Sequence, residues 1–366
     1  MAYRLSAALS RLAAPLLGAL VVLGCATPVA PAGPEAKPPP GQSAATPNPP
    51  AAAPAPSPVP AGFARLRVSA GGLSGNVLTP WAAHFGGYFA QHGLAVDGLV
   101  DLGSSTTAVQ TLLARDLDVA NIAPNAAIEV SLRGDTALVA IANPPPGTGF
   151  WLYGQSDIGS VENLRGKLLA ANQPGSSSYF AVEYALRERG LVAGRDYDIL
   201  SVGNSSAQLA ALQQGQVQAS VFSAPTTALA RRSGFVELLD LNAVPYNANG
   251  PVVRRDLLED PAGRDALVRY LQASVDAIAR LRQDPEFGYE VLGTYLKVSD
   301  RGILEEVYQT YLPKRVPLVL PEGIALVLSG LAERDPAARD AAPHRFYDNS
   351  IVEQLQRSGY IDALYR

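Results

Sequence analysis

The residues able to do chemistry in this chain are hydroxyls and amides gathered in short, glycine-containing stretches. Six stand out: Gly71-Gly72-Leu73-Ser74-Gly75-Asn76, Gly103-Ser104-Ser105-Thr106-Thr107, Asn121 to Asn125, Gly175-Ser176-Ser177-Ser178-Tyr179, Ser205-Ser206 and Phe222-Ser223-Ala224-Pro225. None of them contains Lys or Arg. Hydroxyls, and the exposed amides of a helix's first turn, donate hydrogen bonds to an oxygen-rich or anionic group without a full counter-charge. Ser and Thr are also common helix N-caps, so any one of these serines reads as well as a cap as a ligand contact. Several such loops meeting in one place favour a shared site. Its candidate residues are Ser74, Asn76, Trp81, Ser104, Ser105, Thr106, Asn121, Asn125, Ser176, Ser177, Ser178, Tyr179 and Phe222. The aromatic members, with Tyr246, would line the apolar part of the pocket. Trp81 is the best placed of them, in the first turn or so of a helix leaving one of the loops.

Other chemistries find no support. His84, His92 and His344 are far apart, and no pair has metal-ligand spacing. No nucleophile elbow, Walker loop or dinucleotide fingerprint occurs. The chain is therefore read as a binding protein rather than an enzyme, with no metal and no cofactor. Its 29 basic and 33 acidic residues include Arg4, Arg11, Lys37 and Glu35, and without those four the remainder carries a net charge of −6. No basic cluster marks a nucleic-acid surface.

Cys25 is the only cysteine. Ahead of it come Arg4, Arg11 and an apolar run from Leu12 to Leu23, short for a membrane span but suited to a secretory signal. The ending Val22-Leu23-Gly24-Cys25 resembles a bacterial lipobox, with Leu23 where a small residue is commoner. Residues 1–24 read as a signal peptide and Cys25 as the lipidation site. Residues 26–61 are Ala, Pro, Gly and Ser with almost no charge, a composition that buries no apolar face and is held extended by proline. Residues 25–61 thus form a lipidated, disordered tether able to reach about 110 Å at polyproline rise.

The elements that position the loops are strands alternating with helices, the rhythm of parallel sheets covered by helices. Strands are expected at Leu66-Arg67-Val68, Leu94-Ala95-Val96, Leu117-Asp118-Val119 and Ala137 to Ile141. Helical spacing appears at Ala108, Val109, Leu112 and Leu113. One pattern occurs twice, offset by one hundred. Gly103-Ser104-Ser105-Thr106 answers Gly203-Asn204-Ser205-Ser206, Leu112 answers Leu212, and Leu117-Asp118-Val119-Ala120 answers Val217-Gln218-Ala219-Ser220. Two similar lobes follow. Residues 62–147 with 252–366 make lobe 1, and 148–251 make lobe 2 with its hinge crossings. In open α/β sheets ligands lie beyond the carboxyl ends of strands, against helix starts, which selects the same loops by position.

Phe85-Gly86-Gly87-Tyr88-Phe89-Ala90-Gln91-His92-Gly93-Leu94 resembles a signature of nitrate/sulfonate/taurine-type substrate-binding proteins. Val109 to Ala120 resembles that family's next block, with Arg115 where glycine is usual. Leu164-Arg165-Gly166-Lys167, Gly175 to Ser178 and Ala211 to Val217 resemble the matching parts of its second lobe. The resemblance covers residues 65 to 240 well and the helical remainder weakly. It implies an α/β, two-lobed type II periplasmic-binding-protein fold serving an ABC importer.

The expected function is extracytoplasmic capture of a small organic or inorganic anion of the sulfonate, taurine or nitrate kind. Permease and ATPase subunits would be its partners, and a lipid anchor would hold a monomeric domain at the membrane. The alternatives are the same fold binding a pyrimidine- or flavin-type heterocycle, or a ligand-sensing lipoprotein without transport. Cys25→Ser should release the protein from membranes; a variant that stays as membrane-bound as the wild type rules out the anchor.

Overall fold

The computed structural model describes residues 61–70, 73–134, 137–144, 147–314 and 316–365. The signal segment, Cys25, the tether through Pro60 and the Gly71-Gly72 pair lie outside the described residues. Following the chain, the first sheet receives β1 (Val68–Ser69), β2 (Leu99–Val100), β3 (Val119–Ile122) and β4 (Leu138–Ala140). The chain then crosses and builds a second sheet from β5 (Trp151–Gly154), β6 (Leu168–Ala171), β7 (Asp198–Ser201), β8 (Ala219–Phe222) and β9 (Val236–Asp240). It returns as β10 (Gly250–Arg254).

The two sheets have the same topology. Lobe 1 runs β2-β1-β3-β10-β4 and lobe 2 runs β7-β6-β8-β5-β9. In each, the strand arriving from the other lobe inserts between the last two strands and is antiparallel to both. The first three strands of each lobe pair in parallel. β3 and β8 are buried along their whole length, as expected of strands covered on both faces.

The offset of one hundred is reproduced element by element. Helix α1 (Leu78–Phe85) precedes α2 (Ser105–Leu113) and α3 (Asn125–Arg133) in lobe 1. Lobe 2 carries α4 (Ser177–Arg187), α5 (Ser205–Gln213) and α6 (Thr226–Arg232). The Ser104 side chain caps α2 by accepting the Thr107 amide at 3.1 Å, and Asn204 caps α5 by accepting the Ala207 amide at 3.0 Å. Arg115, in glycine's usual place, adopts φ of 62°, and its counterpart Gly215 has φ of 68°. The turn demands a left-handed residue; Arg115 meets it with a strain of about 1–2 kcal/mol that glycine avoids. Its guanidinium pairs with the Asp256 carboxylate at the exposed end of the turn.

One expected strand is placed differently. Leu94–Ala95 pairs with Ala64–Arg65 in a small separate sheet, and Leu99–Val100 takes the second position of the lobe 1 sheet. The Leu94 run sits against helix α7 (Pro261–Gln283), which leaves the edge beside β1 to Leu99–Val100.

Helix α7, 23 residues long, begins with Pro261 after the N-cap Asp260, which accepts the Gly263 amide at 2.7 Å. Leu267, Leu271, Val275, Ile278 and Leu281 form its buried face. With α8 (Pro285–Leu296) and α9 (Arg301–Tyr311) it packs on lobe 1, burying Tyr270, Tyr308 and Tyr311. Helix α10 (Pro321–Leu331) departs from the expectation that the C-terminal helices belong to lobe 1 alone. It shares a core with residues of both lobes, from Ile128 of α3 to Phe180 of α4, because Gly330 lets the Phe180 ring approach closely.

The crossings are pinned by polar contacts at close range. Tyr311 donates its hydroxyl proton to the Gly149 carbonyl at 2.7 Å and accepts the Ala224 amide at 3.3 Å. Asn242, entering the second crossing, accepts the Gly149 amide at 2.7 Å. Gly149 has φ of 69°, and a Cβ there would come within 2.3 Å of Tyr311 Cε1 and 2.6 Å of Asn76 Oδ1. Gly149→Ala should therefore destabilise the fold by about 2–4 kcal/mol, combining left-handed strain with overpacking. Denaturant unfolding measures this, and a loss below about 0.5 kcal/mol would show that the crossing yields.

Candidate ligand-binding site

Between the sheets lies a cavity of about 390 Å³, within the usual range for small-molecule sites. Lobe 1 contributes Leu73, Ser74, Asn76, Asp101, Gly103, Ser104 and Ser105, with Leu296 from the end of α8. Lobe 2 contributes Asn172, Ser176 to Ser178, Asn204 to Ser206, Gln208, Ser223, Pro225 and Thr226. Phe150 and Asn249, from the two crossings, complete the wall. Helices α2, α4, α5 and α6 all start at this cavity; the third amide of α2, α4 and α5 is taken by its cap and the Thr227 amide of α6 by the Ser223 carbonyl, and the amides ahead of these have no partner inside the helix. No Lys or Arg lines the cavity among the described residues; its one ionisable side chain is Asp101, whose Oδ1 accepts the Gly103 amide at 2.9 Å.

Caps and free hydroxyls are separate residues. Ser104, Ser176 and Asn204 spend their side chains on capping; Ser176 Oγ accepts the Tyr179 amide at 3.3 Å. Ser105, Ser177, Ser205 and Ser206 follow them in the chain, and among the described residues their hydroxyls make no hydrogen bond. Thus each lobe holds its helix start with one side chain and leaves the next free. Ser178 lies 3.4 Å from the Ser176 hydroxyl.

The structure brings Ser74, Asn76, Ser104, Ser105, Ser176, Ser177 and Ser178 together in the cavity wall. It places six candidates elsewhere. Trp81 is stacked between Phe85 (5.5 Å) and Tyr295 (5.2 Å) on lobe 1, outside the cavity wall. Phe222 is fully buried against Tyr153 inside lobe 2, since the alternation of β8 turns it into the sheet's core. Tyr179 packs its ring against the core shared with α10, and burial raises its phenol pKa. Asn121 is consumed within lobe 1, donating to the Ser69 carbonyl at 2.8 Å and accepting the Tyr270 hydroxyl at 3.0 Å. Thr106 faces a separate, shallower groove of about 470 Å³ with Glu129 and Arg133.

Asn125 ties the lobes rather than facing the cavity. Its Nδ2 donates to the Gly175 carbonyl and its Oδ1 accepts the Tyr246 hydroxyl at 2.6 Å. Tyr246 is buried against Phe180, with centroids 5.2 Å apart, and burial drives its pKa well above the ordinary tyrosine value. It therefore belongs to the hinge and not to the pocket lining.

Sequence reading missed Asp101, Asn172, Gln208, Thr226 and Asn249. Asp101 and Asn172 stand at strand ends just outside the hydroxyl clusters. Gln208 sits in the first turn of α5 and had a findable signal: it lies one turn after the Asn204 cap, where a long side chain folds back to the cap. Asn249 enters only through the return crossing.

Residues 99–270 match the family model described as ABC transporter, phosphonate, periplasmic substrate-binding protein. No curated protein matches the chain. Among solved structures, the alkanesulfonate-binding protein SsuA from Xanthomonas axonopodis pv. citri bound to MOPS superposes with a TM-score of 0.64 at 18% identity, covering 78% of this chain and 97% of that one. The periplasmic aliphatic sulphonate binding protein SsuA from Escherichia coli gives 0.64 at 19%, covering 78% and 98%. The periplasmic nitrate-binding protein NrtA from Synechocystis PCC 6803 gives 0.63 at 13%, covering 83% and 91%. At these identities the likeness shows the fold, a two-lobed periplasmic-binding architecture.

The division between caps and free hydroxyls separates stability from binding. Ser176→Ala should cost about 1 kcal/mol of stability, the usual worth of an N-cap. Ser177→Ala should stay within about 0.5 kcal/mol of wild type. Thermal and denaturant melts of the two variants decide this, and equal losses would contradict the assignment.

Proposed function

We propose, for a chain whose residues 99–270 match the model of an ABC-transporter periplasmic substrate-binding family, that the inter-lobe cavity captures a small anion through helix-start amides and free hydroxyls. The observation that carries this reading is the convergence of four helix N-termini, with Ser105, Ser177, Ser205 and Ser206 unpaired, on one cavity with no cation in its wall. Each helix start offers roughly half a positive charge and donors already pointed at the ligand. An acid group takes several such donors at once, whereas a flat heterocycle needs stacking faces. Trp81, Tyr179 and Phe222 are engaged elsewhere, which leaves Phe150 as the aromatic ring in the wall. The sulfonate- and nitrate-binding proteins that share the fold support an oxyanion here.

The resemblance to that family supports reading the chain as an extracytoplasmic protein that delivers its ligand to a membrane permease and its ATPase. No helix among the described residues is long and apolar enough to cross a membrane. Attachment through a lipid on Cys25, with residues 26–61 as a tether, fits the lipobox-like sequence and is part of this proposal. So is binding as a monomer, and so is hinge closure at the crossings between β4 and β5 and between β9 and β10.

Binding to the folded state alone raises stability by about 2.7 kcal/mol at a hundredfold excess of ligand over Kd. Thermal-shift measurements on residues 62–366 should show alkylphosphonates, alkanesulfonates or their amino derivatives raising Tm, together with a smaller radius of gyration in solution scattering. A Tm raised by uracil or a flavin and by no anion would overturn the proposal.

A further inference from the structure

A second cavity, of about 260 Å³, lies in lobe 1 away from the inter-lobe site. Its wall is Ser131 of α3, Ala137 before β4, Arg255 after β10, and His344, Arg345 and Phe346 around the turn at Pro343–Arg345. Strand β3 runs parallel to β1, and β10 runs against both β3 and β4. The start of β4 and the end of β10 therefore lie together at the end of the sheet opposite the inter-lobe cavity, the end at which the chain enters lobe 1 from residue 61. Other arginines at that end are matched: Arg65 pairs with Asp97, Arg67 with Asp118 and Arg115 with Asp256. Arg255 and Arg345 have no carboxylate partner among the described residues. Arg255 Nη2 donates to the Arg345 carbonyl at 2.8 Å, which holds its guanidinium against the turn, and Arg345 lies 5.5 Å from the centre of the Phe346 ring. Ser131, 7% exposed, accepts the Leu138 amide at 2.9 Å, and its own hydroxyl proton has no acceptor among the described residues. No carboxylate is among the described residues of the wall; Asp135 and Thr136 lie outside the described residues.

Two guanidiniums, an imidazole and an unspent hydroxyl proton thus share one cavity with no anion to meet them. Guanidinium forks match the oxygens of phosphate and carboxylate groups. Here the donors come from three separate segments of the chain, which suits a tetrahedral group with several oxygens better than a carboxylate with two on one edge. Ala137 and Phe346 give the same wall an apolar part, fit for the carbon that carries the acid group. We propose that this cavity is a second anion site, taking a phosphate group carried on an organic molecule: a soluble phosphate ester or the headgroup of an anionic phospholipid. The headgroup suits the position, because basic residues near a bilayer attract anionic lipid and this is the end of lobe 1 that follows the tether. The site shares no residue with the inter-lobe cavity and stands whatever that cavity binds.

Two arms on the full chain test it: isothermal titration with glycerol 3-phosphate, and flotation with phosphatidylcholine vesicles with and without phosphatidylglycerol. Reading the vesicle arm as the excess over phosphatidylcholine alone removes any contribution from the apolar segment before Cys25. Arg255→Gln and Arg345→Gln should both weaken binding by about fivefold or more in at least one arm, each removing a charged hydrogen-bond donor. Arg345 is exposed and its side chain makes no hydrogen bond among the described residues, so a loss there at unchanged Tm is not a folding defect. Ester bound in the inter-lobe cavity is set apart by Ser105→Ala with Ser177→Ala, which should leave the effect of the arginine variants intact. A loss in the titration alone assigns a soluble ester, a loss in the vesicle arm alone assigns the headgroup, and a loss in both assigns the phosphate group they share. A wild type that binds in neither arm overturns the proposal, as does full binding in either arginine variant. An equal loss in Arg189→Gln, on lobe 2, would reduce the effect to net charge and overturn it too.

Discussion

The buried hydroxyl of Tyr311 is the contact on which the arrangement of the two lobes depends. From lobe 1 it donates to Gly149 in the first crossing and accepts from Ala224 at the start of α6 in lobe 2. Burial pushes the phenol's pKa up, so it stays protonated and able to do both. The surroundings are shaped to let it in. A Cβ on Gly75 would lie 2.0 Å from the Tyr311 ring, and one on Gly149 would lie 2.3 Å from it. The Gly75 amide in turn reaches the Ala224 carbonyl at 3.4 Å. A buried crossing with unpaired carbonyls would cost about 1–3 kcal/mol for each lost partner. The ring thus sets where the loops of lobe 1 meet those of lobe 2, and with them the shape of the cavity.

Given that frame, the binding wall follows from repetition. The same strand–turn–helix unit built twice puts the same orphan amides at the same place in each lobe, and facing the lobes brings them together. Capping and ligand binding use the same residue types, but the first hydroxyl or amide of each cluster caps while the next is free. An acid group bound here, as proposed, would be held without a formal cation. Its attraction is dipolar and short-ranged, effective only for a ligand that is largely desolvated between the lobes.

Much of this was legible in the sequence because it is written in spacing. The repeat at one hundred, the hydroxyl clusters at strand ends and the proline and glycine breaks at the crossings depend on local pattern, and the structure keeps them. The aromatic lining was not legible. Phe222 and Asn121 lie on buried strands whose alternation decides inward from outward, and one residue of register reverses it. Trp81 depended on Tyr295, more than two hundred residues away, which offers it a stacking face. Asn125 and Tyr246 found each other across 121 positions. Gln208 is marked only by its place one turn after the Asn204 cap, and Asp101 carries no cluster signal; the burial of the one and the cavity position of the other appear only in the fold. The Leu94 strand was recognised as a strand but not as belonging to another sheet, since a two-residue run carries no pairing information.

The contacts that join the lobes away from the hinge bear on what must drive closure. Arg231 of α6 pairs with Glu306 of α9, and Arg232 pairs with Asp300 at 2.8 Å, while Thr227 reaches Glu306 at 3.5 Å. All four charged side chains are more than a third exposed. Pairs so exposed contribute about 0–1 kcal/mol and are screened by salt. These pairs do not by themselves hold the lobes shut; the buried Asn125 contacts and the apolar core that α10 shares with both lobes also join them. The bias towards the closed arrangement then has to come from groups that gain partners only there, because a ligand shifts an equilibrium only by its differential affinity for the two states. The serine hydroxyls and helix starts of both walls are such groups: a ligand seated on one lobe leaves half of them unpaired, and bridging both pairs them all. In the proposed closure, weak edges and a pinned hinge would be complementary, one permitting opening and the other returning the walls to the same register.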